Sequence, residues 1–208
     1  PRNEKQRHPV RIVPRSFYHQ ETSAVARNLL GLLLCRRTPM GLRVGRIVET
    51  EAYLGSTDQA SHAARGVTPR NRLMFEPPGH AYVYFSYGMH WCFNVVAWAV
   101  PPGAVLVRAL EPVEGLGEMV GGRDRPVDDR ALTSGPARLT RALGIDGGLN
   151  GVSLLDPEGA LFIARPLRRG LPRPVVVTPR IGIRRSAELP LRFCFGDSAH
   201  LSRAIRIA

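Results

Sequence analysis

A chain of 208 residues, 44% of them hydrophobic, is long enough to bury one full core and too apolar to remain disordered. Its 29 lysines and arginines against 17 carboxylates leave a formal charge of +12, which points to a polyanion, and the lack of any long apolar or basic amphipathic segment favours nucleic acid over a membrane. A single lysine, Lys5, stands among those cations, so Schiff-base chemistry is excluded except there and at an amino terminus, whereas arginine suits planar, bidentate phosphate contacts.

Residues 1 to 14 are basic, contain Pro1, Pro9 and Pro14, and read as a flexible lead-in to one domain over 15–208. From Glu21, TSAVARNLLG offers Thr22 or Ser23 as a cap, Val25, Leu29 and Leu30 at helical spacing, and Gly31 as the stop of a short packing helix. LLLC at 32–35 and the run from Leu42 to Leu54 read as strands joined by the polar turn RRTPMG. In the second strand, period-2 alternation puts Ile47, Glu49, Glu51 and Tyr53 on one face. STDQASHAARG has Ser56 or Thr57 as a cap and Gly66 as a stop, so His62 falls on a short helix or at its end.

TPRNRLMFEPPG, with Arg70 and Arg72, reads as a loop before a hairpin made of AYVYFSYG and HWCFNVVAWAV. Tyr82 and Tyr84 share a face there, Tyr87-Gly88 takes the turn, and Asn94 sits where a valine would be ordinary. PPGAVLVRALEP is a further strand, interrupted by Arg108, which must be paired if the strand is buried. SGPARLTRALG reads as a helix with Arg138 and Arg141 exposed, and its Ser134-Gly135-Pro136 entry presents N–H groups suited to a phosphate. LFIA, VVVTPRIGI and LRFCF supply three more short strands. Strands outnumber helices and few βαβ units appear. The fold class expected is therefore α+β, a single domain with a curved, mostly antiparallel β-sheet, short flanking helices and a protruding β-hairpin.

Cys35, Cys92 and Cys194 are odd in number and show no CxxC spacing, which speaks against a disulfide framework or thiolate metal site and fits a reducing cytosol. The six histidines form no HxxxH or HExxH pair, so neither a metal nor another cofactor is expected. No signal peptide or membrane span is read. Carboxylate, histidine, tyrosines and a buried amide between residues 45 and 94 are what a pocket for a flat, hydrogen-bonding ring requires. From the residues alone, Glu49 and Glu51 compete for the chemistry. Two other readings stand beside an enzyme of that kind: a non-catalytic module using tyrosines to stack on nucleic acid, and an enzyme with Pro1 as amine nucleophile that also breaks the strand.

GRIVETEAYLG, TPRNR, YVYxxYGM, a following Asn, LRALEP and SGP stand in the order and spacing of one known group of proteins. From about Arg15 to Phe195 the chain resembles the alkyladenine DNA glycosylases, the 3-methyladenine DNA glycosylases of mammalian type. The resemblance implies a monofunctional enzyme that flips 3-methyladenine, 7-methylguanine, ethenoadenine or hypoxanthine out of duplex DNA and hydrolyses the N-glycosidic bond, starting base excision repair. It implies Glu51 as general base, with Arg108 holding the attacking water, and Tyr53, Tyr84 and His62 around the extruded base. It further implies that Asn94 excludes the 2-amino group of guanine and that Tyr87 fills the gap left in the duplex. Arg70, Arg72, Ser134, Gly135 and Arg138 would meet the DNA backbone, and the protein would act as a monomer on double-stranded DNA containing damaged purines. His90-Trp91 after Met89, and Phe93 before Asn94, depart from the commoner pattern of that family.

Overall fold

The computed structural model describes residues 11–99, 102–121, 128–168 and 170–205. Pro1, Lys5 and the rest of the first ten residues lie outside the described residues, and with them most of the expected lead-in.

β1 (Arg11–Ile12) leads into two short helices, α1 (Arg15–Tyr18) and α2 (Thr22–Asn28). Glu21, not Thr22 or Ser23, is the N-cap of α2, and Thr22 is instead buried against the sheet, where a Cβ on Gly103 would come within 2.2 Å of its hydroxyl. β2 (Leu33–Thr38) and β3 (Gly41–Tyr53) form the expected hairpin, but Arg36, Arg37 and Thr38 continue the strand and only Pro39-Met40 turns. The segment from Ser56 stays irregular until Ser61, whose hydroxyl accepts the Ala63 N–H and caps a 3₁₀ turn over His62–Arg65, so the cap is neither Ser56 nor Thr57. A second 3₁₀ turn, Arg72–Phe75, interrupts the loop expected there.

The tyrosine hairpin follows as β4 (Ala81–Ser86) and β5 (His90–Ala99), then β6 (Pro102–Glu114). Two helices without a clear sequence signal, α3 (Leu116–Val120) and α4 (Asp129–Thr133), precede α5 (Pro136–Leu143), which begins on its proline and ends at the left-handed Gly144. β7 (Leu161–Arg165), β8 (Val175–Thr178) and β9 (Arg192–Phe195) complete the described elements.

All the described strands join one sheet by antiparallel pairs, in the order β1-β7-β2-β3-β6-β5-β4, with β9 on β3 and β8 on β9. β3 organises this arrangement. One of its edges carries β6; the other carries β2 along its first half and β9 at Glu49–Glu51. Alternation separates two faces of β4, β5 and β6. Odd-numbered residues such as Val83, Phe93, Val95, Val105 and Val107 join the main core with Val25 of α2, Leu29 at its C-cap, and Leu139 and Leu143 of α5. Even-numbered residues face the other way, Tyr82, Val96 and Ala104 packing with Met74.

The alternation expected along β3 breaks at Val48. Register against β6 shifts on both sides of Glu49, so Ile47 enters the main core with Ala52, while Thr50 donates its hydroxyl to the Ala26 carbonyl of α2 at 2.8 Å. Glu49, Glu51 and Tyr53 are left on the opposite face, without Ile47. A bulge of this kind re-aims side chains beside a site.

Candidate active site

A cavity of about 550 Å³ opens on the even-numbered face of β4, β5 and β6. Its walls include Tyr84 of β4, Asn94 of β5 and Arg108 of β6, with Tyr53 from β3, His62 from the first 3₁₀ turn and Ile181 from the segment after β8. The sequence expectation thus drew together residues that do share one hollow.

Glu51 is fully buried directly behind that wall. Its Oε2 accepts from the Tyr53 hydroxyl at 2.8 Å and from Arg108 Nη1 at 3.2 Å, and its Oε1 accepts from the Ile181 N–H at 2.7 Å. Glu49, also fully buried, receives a different set. Oε1 accepts from Arg192 Nε at 2.8 Å, the Ser202 hydroxyl at 2.8 Å and Arg108 Nε at 3.1 Å, while Oε2 accepts from the Ser202 N–H at 2.6 Å. Two carboxylates thus face two guanidiniums, so the buried charge balances and the carboxylate oxygens are heavily bonded. Burial opposes the charge on Arg108, but Glu51 and then Glu49 outweigh it and raise its pKa. The expectation that Arg108 would be paired is met twice over.

Tyr84 forms the aromatic centre of the hollow. Its ring centroid lies 4.7 Å from that of His62 and 5.3 Å from that of Tyr82, and the Arg70 guanidinium stands 5.0 Å from the Tyr84 centroid. His62 Nδ1 is 2.8 Å from the Tyr82 hydroxyl. Burial, then the charges of Arg70 and Arg65, lower the His62 pKa, which favours the neutral ring. A smaller hollow of about 270 Å³ shares His62 and Arg70 with the first and is also lined by Arg65. Asn94 is buried and donates Nδ2 to the Tyr82 carbonyl across the β4–β5 ladder at 3.0 Å, which fixes its amide against the cavity.

Tyr53 is covered by the Arg180 guanidinium, 4.7 Å above its ring. Arg180 in turn is clamped to Asp58, Nη1 to Oδ2 at 2.5 Å and Nη2 to Oδ1 at 2.8 Å, and both side chains are fully buried. This pair ties the segment carrying Ile181 to the end of β3.

At the tip of the hairpin the Met89 N–H bonds the Ser86 carbonyl at 3.0 Å, and the central residues Tyr87 and Gly88 have φ of 51° and 65°. Positive φ at both positions is the type I′ geometry, which asparagine or glycine fills at lower energy than tyrosine. Tyr87 is 81% exposed and Met89 73%. A strained, solvent-facing ring of this kind is a functional signal.

Arg70 lies exposed at the cavity rim, bonded to the Phe85 carbonyl at 2.9 Å, and Arg72 and Arg138 are also exposed. The N–H groups of Ser134 and Gly135 are already bonded, to the carbonyls of Arg130 and Thr133. The groups left for an anion at this helix are those of the first turn beyond Pro136.

Arg180, Arg192, Asp58, Ile181 and Ser202 were not singled out from sequence. Arg180 and Arg192 carried the same signal as Arg108, a guanidinium within an apolar run; Ser202 carried none. Among the described residues no group of histidine, cysteine and carboxylate side chains is arranged to hold a metal, and the three cysteines are buried free thiols.

A family model described as methylpurine-DNA glycosylase (MPG) matches residues 16–199. The chain is 46% identical over 202 residues to a Burkholderia cenocepacia protein named "Putative 3-methyladenine DNA glycosylase", a match covering 95% of this chain and 94% of that one. Proteins of the same name from Methanoculleus marisnigri, 49% identical over 194 residues, and Carboxydothermus hydrogenoformans, 46% identical over 198, match 92% of this chain and 98% and 99% of their own.

Proposed function

The chain belongs to the methylpurine-DNA glycosylase family and is a hydrolase acting on N-glycosyl bonds, and from that premise we propose that it is a monofunctional enzyme that flips alkylated or deaminated purines from duplex DNA and releases them from C1′. The observation that carries this reading is the fully buried Glu51, bonded by Tyr53 and Arg108 immediately behind a cavity walled by aromatic rings. A non-catalytic stacking module has no use for a carboxylate held in that way.

The volume of the cavity, about 550 Å³, falls within the roughly 300 to 1,000 Å³ of small-molecule sites. A purine entering it would stack on Tyr84, with Tyr53 and His62 as the other walls. Alkylation at N3 or N7 makes the ring cationic, and the tyrosine faces attract it more strongly for that reason. Hypoxanthine and ethenoadenine rely on stacking and edge contacts instead. Asn94, its amide plane fixed by Tyr82, would leave too little room for the 2-amino group of guanine.

At the glycosidic bond, Glu51 takes a proton from the attacking water and offsets the positive charge that develops at C1′. Three donors leave one of the roughly four lone-pair sites of the carboxylate for a water. The Arg108 contact, at 3.2 Å, is the longest of the three, so water entering beside it is held between guanidinium and carboxylate. Tyr87, already raised on its turn, would fill the space the base vacates, and Arg70, Arg72, Arg138 and the first turn of α5 beyond Pro136, whose N–H groups are the ones left after those of Ser134 and Gly135 are bonded, would lie along the phosphates.

Single-turnover excision from duplexes that each carry one lesion tests this. The expected product is free base and an abasic strand that breaks only after added alkali. Strand cleavage without alkali would favour a lyase, for which Pro1 remains the amine to examine, and no base release from any lesion would refute the reading.

A further inference from the structure

Arg108 carries no single strong contact in this network. Its four hydrogen bonds, from Nε to Glu49 Oε1 and Ser202 Oγ, from Nη1 to Glu51 Oε2 and from Nη2 to Ser202 Oγ, run from 3.1 to 3.3 Å. Charge-assisted pairs of guanidinium and carboxylate usually close to about 2.7–2.9 Å. The orientation of the fork is therefore set by all of them together, and two of the four end on one hydroxyl.

That hydroxyl is fully specified. A serine side chain has one proton to give and two lone pairs to offer. The Ser202 proton goes to Glu49 Oε1 at 2.8 Å, which turns the lone pairs toward Nε and Nη2 of Arg108 at 3.3 and 3.2 Å. The backbone is held as firmly, by the Ser202 N–H on Glu49 Oε2 at 2.6 Å and by the next carbonyl, of Arg203, on Arg192 Nη2 at 2.8 Å. Ser202 lies beyond residue 199, where the family match ends.

We propose that Ser202 is a positioning residue for glycosidic hydrolysis, gripping the Nε–Nη2 edge of Arg108 so that Nη1 stays aimed at Glu51. The inference rests on the reading of Glu51 and Arg108 as the pair that handles water. Without the hydroxyl, Nη2 loses its partner and Nε keeps only Glu49, so the fork is free to swing toward Glu49 and leave Glu51 to Tyr53 and Ile181. A displacement of about 1 Å at a reacting group can cost on the order of a hundredfold in rate.

The test uses a duplex containing 7-methylguanine under single-turnover conditions. Ser202→Ala should lower the maximal rate on the order of ten- to a hundredfold without changing the enzyme concentration that gives half of it, and Ser202→Thr, which keeps the hydroxyl, should recover most of the loss. If Ser202→Ala does not fold, Ser202→Cys, with a similar volume and a poor acceptor, carries the same expectation. A wild-type rate in the variant, or a loss that appears in half-saturation instead of in the maximal rate, overturns the inference. Glu51→Gln assayed alongside separates the two levels. An active Glu51→Gln removes the reading of the pair itself, whereas an inactive Glu51→Gln beside a fully active Ser202→Ala removes only the role of Ser202.

Discussion

Glu49 and Glu51 share the guanidinium of Arg108, Glu49 at Nε and Glu51 at Nη1, yet only Glu51 is also bonded to further residues that line the cavity, Tyr53 and Ile181. The remaining partners of Glu49, Arg192 and Ser202, do not line that cavity. The two carboxylates therefore have different surroundings, Glu51 beside the cavity and Glu49 within the scaffold.

Exchanging each for glutamine should separate them experimentally. Glu51→Gln is expected to lower the single-turnover excision rate by about two decades or more while lesion binding survives. Glu49→Gln leaves two buried arginines short of a negative charge, which should cost about 3 kcal/mol or more, a fall of roughly 6–12 °C in melting temperature. The assignment is wrong if the effects are exchanged, with Glu51→Gln fully active and Glu49→Gln stable but inactive.

Asn94 should govern which purines are refused. Asn94→Ser makes room at the purine edge and should narrow the discrimination between guanine and hypoxanthine, each opposite thymine, by about 1–3 kcal/mol. Loss of the bond to the Tyr82 carbonyl should cost about 1 kcal/mol of stability besides. The ratio of the two excision rates decides; an unchanged ratio in a folded, hypoxanthine-active variant would reduce Asn94 to a structural amide.

His62 gives the stability a pH dependence of known sign. Burial and the charges of Arg70 and Arg65 hold its pKa below the unfolded value of about 6.5. As pH falls the unfolded chain takes the proton first. The stabilisation is therefore complete above pH ~6.5 and is lost as pH falls through the lowered, folded-state value. Melting curves of wild type and His62→Gln between pH 7.5 and 5 should converge toward the acid end, and parallel curves would show that some other group carries the dependence.

Affinity for undamaged duplex should fall steeply with salt, given the charge of +12 and the exposed Arg70, Arg72 and Arg138. Arg72→Gln or Arg138→Gln should each lower the log–log slope by about one while leaving single-turnover chemistry intact. A salt-independent affinity in the wild type would remove the phosphate-contact reading.

Local pattern carried the parts of the fold that local physics decides. Alternation and turn residues located β3, the tyrosine hairpin and β6, and so also the even-numbered face on which Tyr84, Asn94 and Arg108 meet. Ile47 was misassigned because a bulge adds a residue without leaving a mark in the alternation. Ser61 was overlooked as a cap because Ser56 and Thr57 satisfy the same local rule, and only the fold settles where the turn begins. The pairings of Arg180, Arg192 and Ser202 lay out of reach for a different reason. The carboxylates that these residues bond are more than a hundred residues away, and no periodicity encodes such a pairing.

That separation also bears on when the molecule becomes competent. Arg192 and Ser202 reach Glu49 across 143 and 153 residues, so a chain still on the ribosome holds Glu49 without its scaffold partners long after β3 has been made. At roughly 5–20 residues per second, the delay between the two events is about 7 to 30 seconds. Contacts of such span also form late in folding. The hairpin that carries Tyr87 and much of the aromatic wall are thus made well before the residues that complete the ionic network behind them, so an unfinished chain carries the rings of the hollow while Glu49 still lacks Arg192 and Ser202.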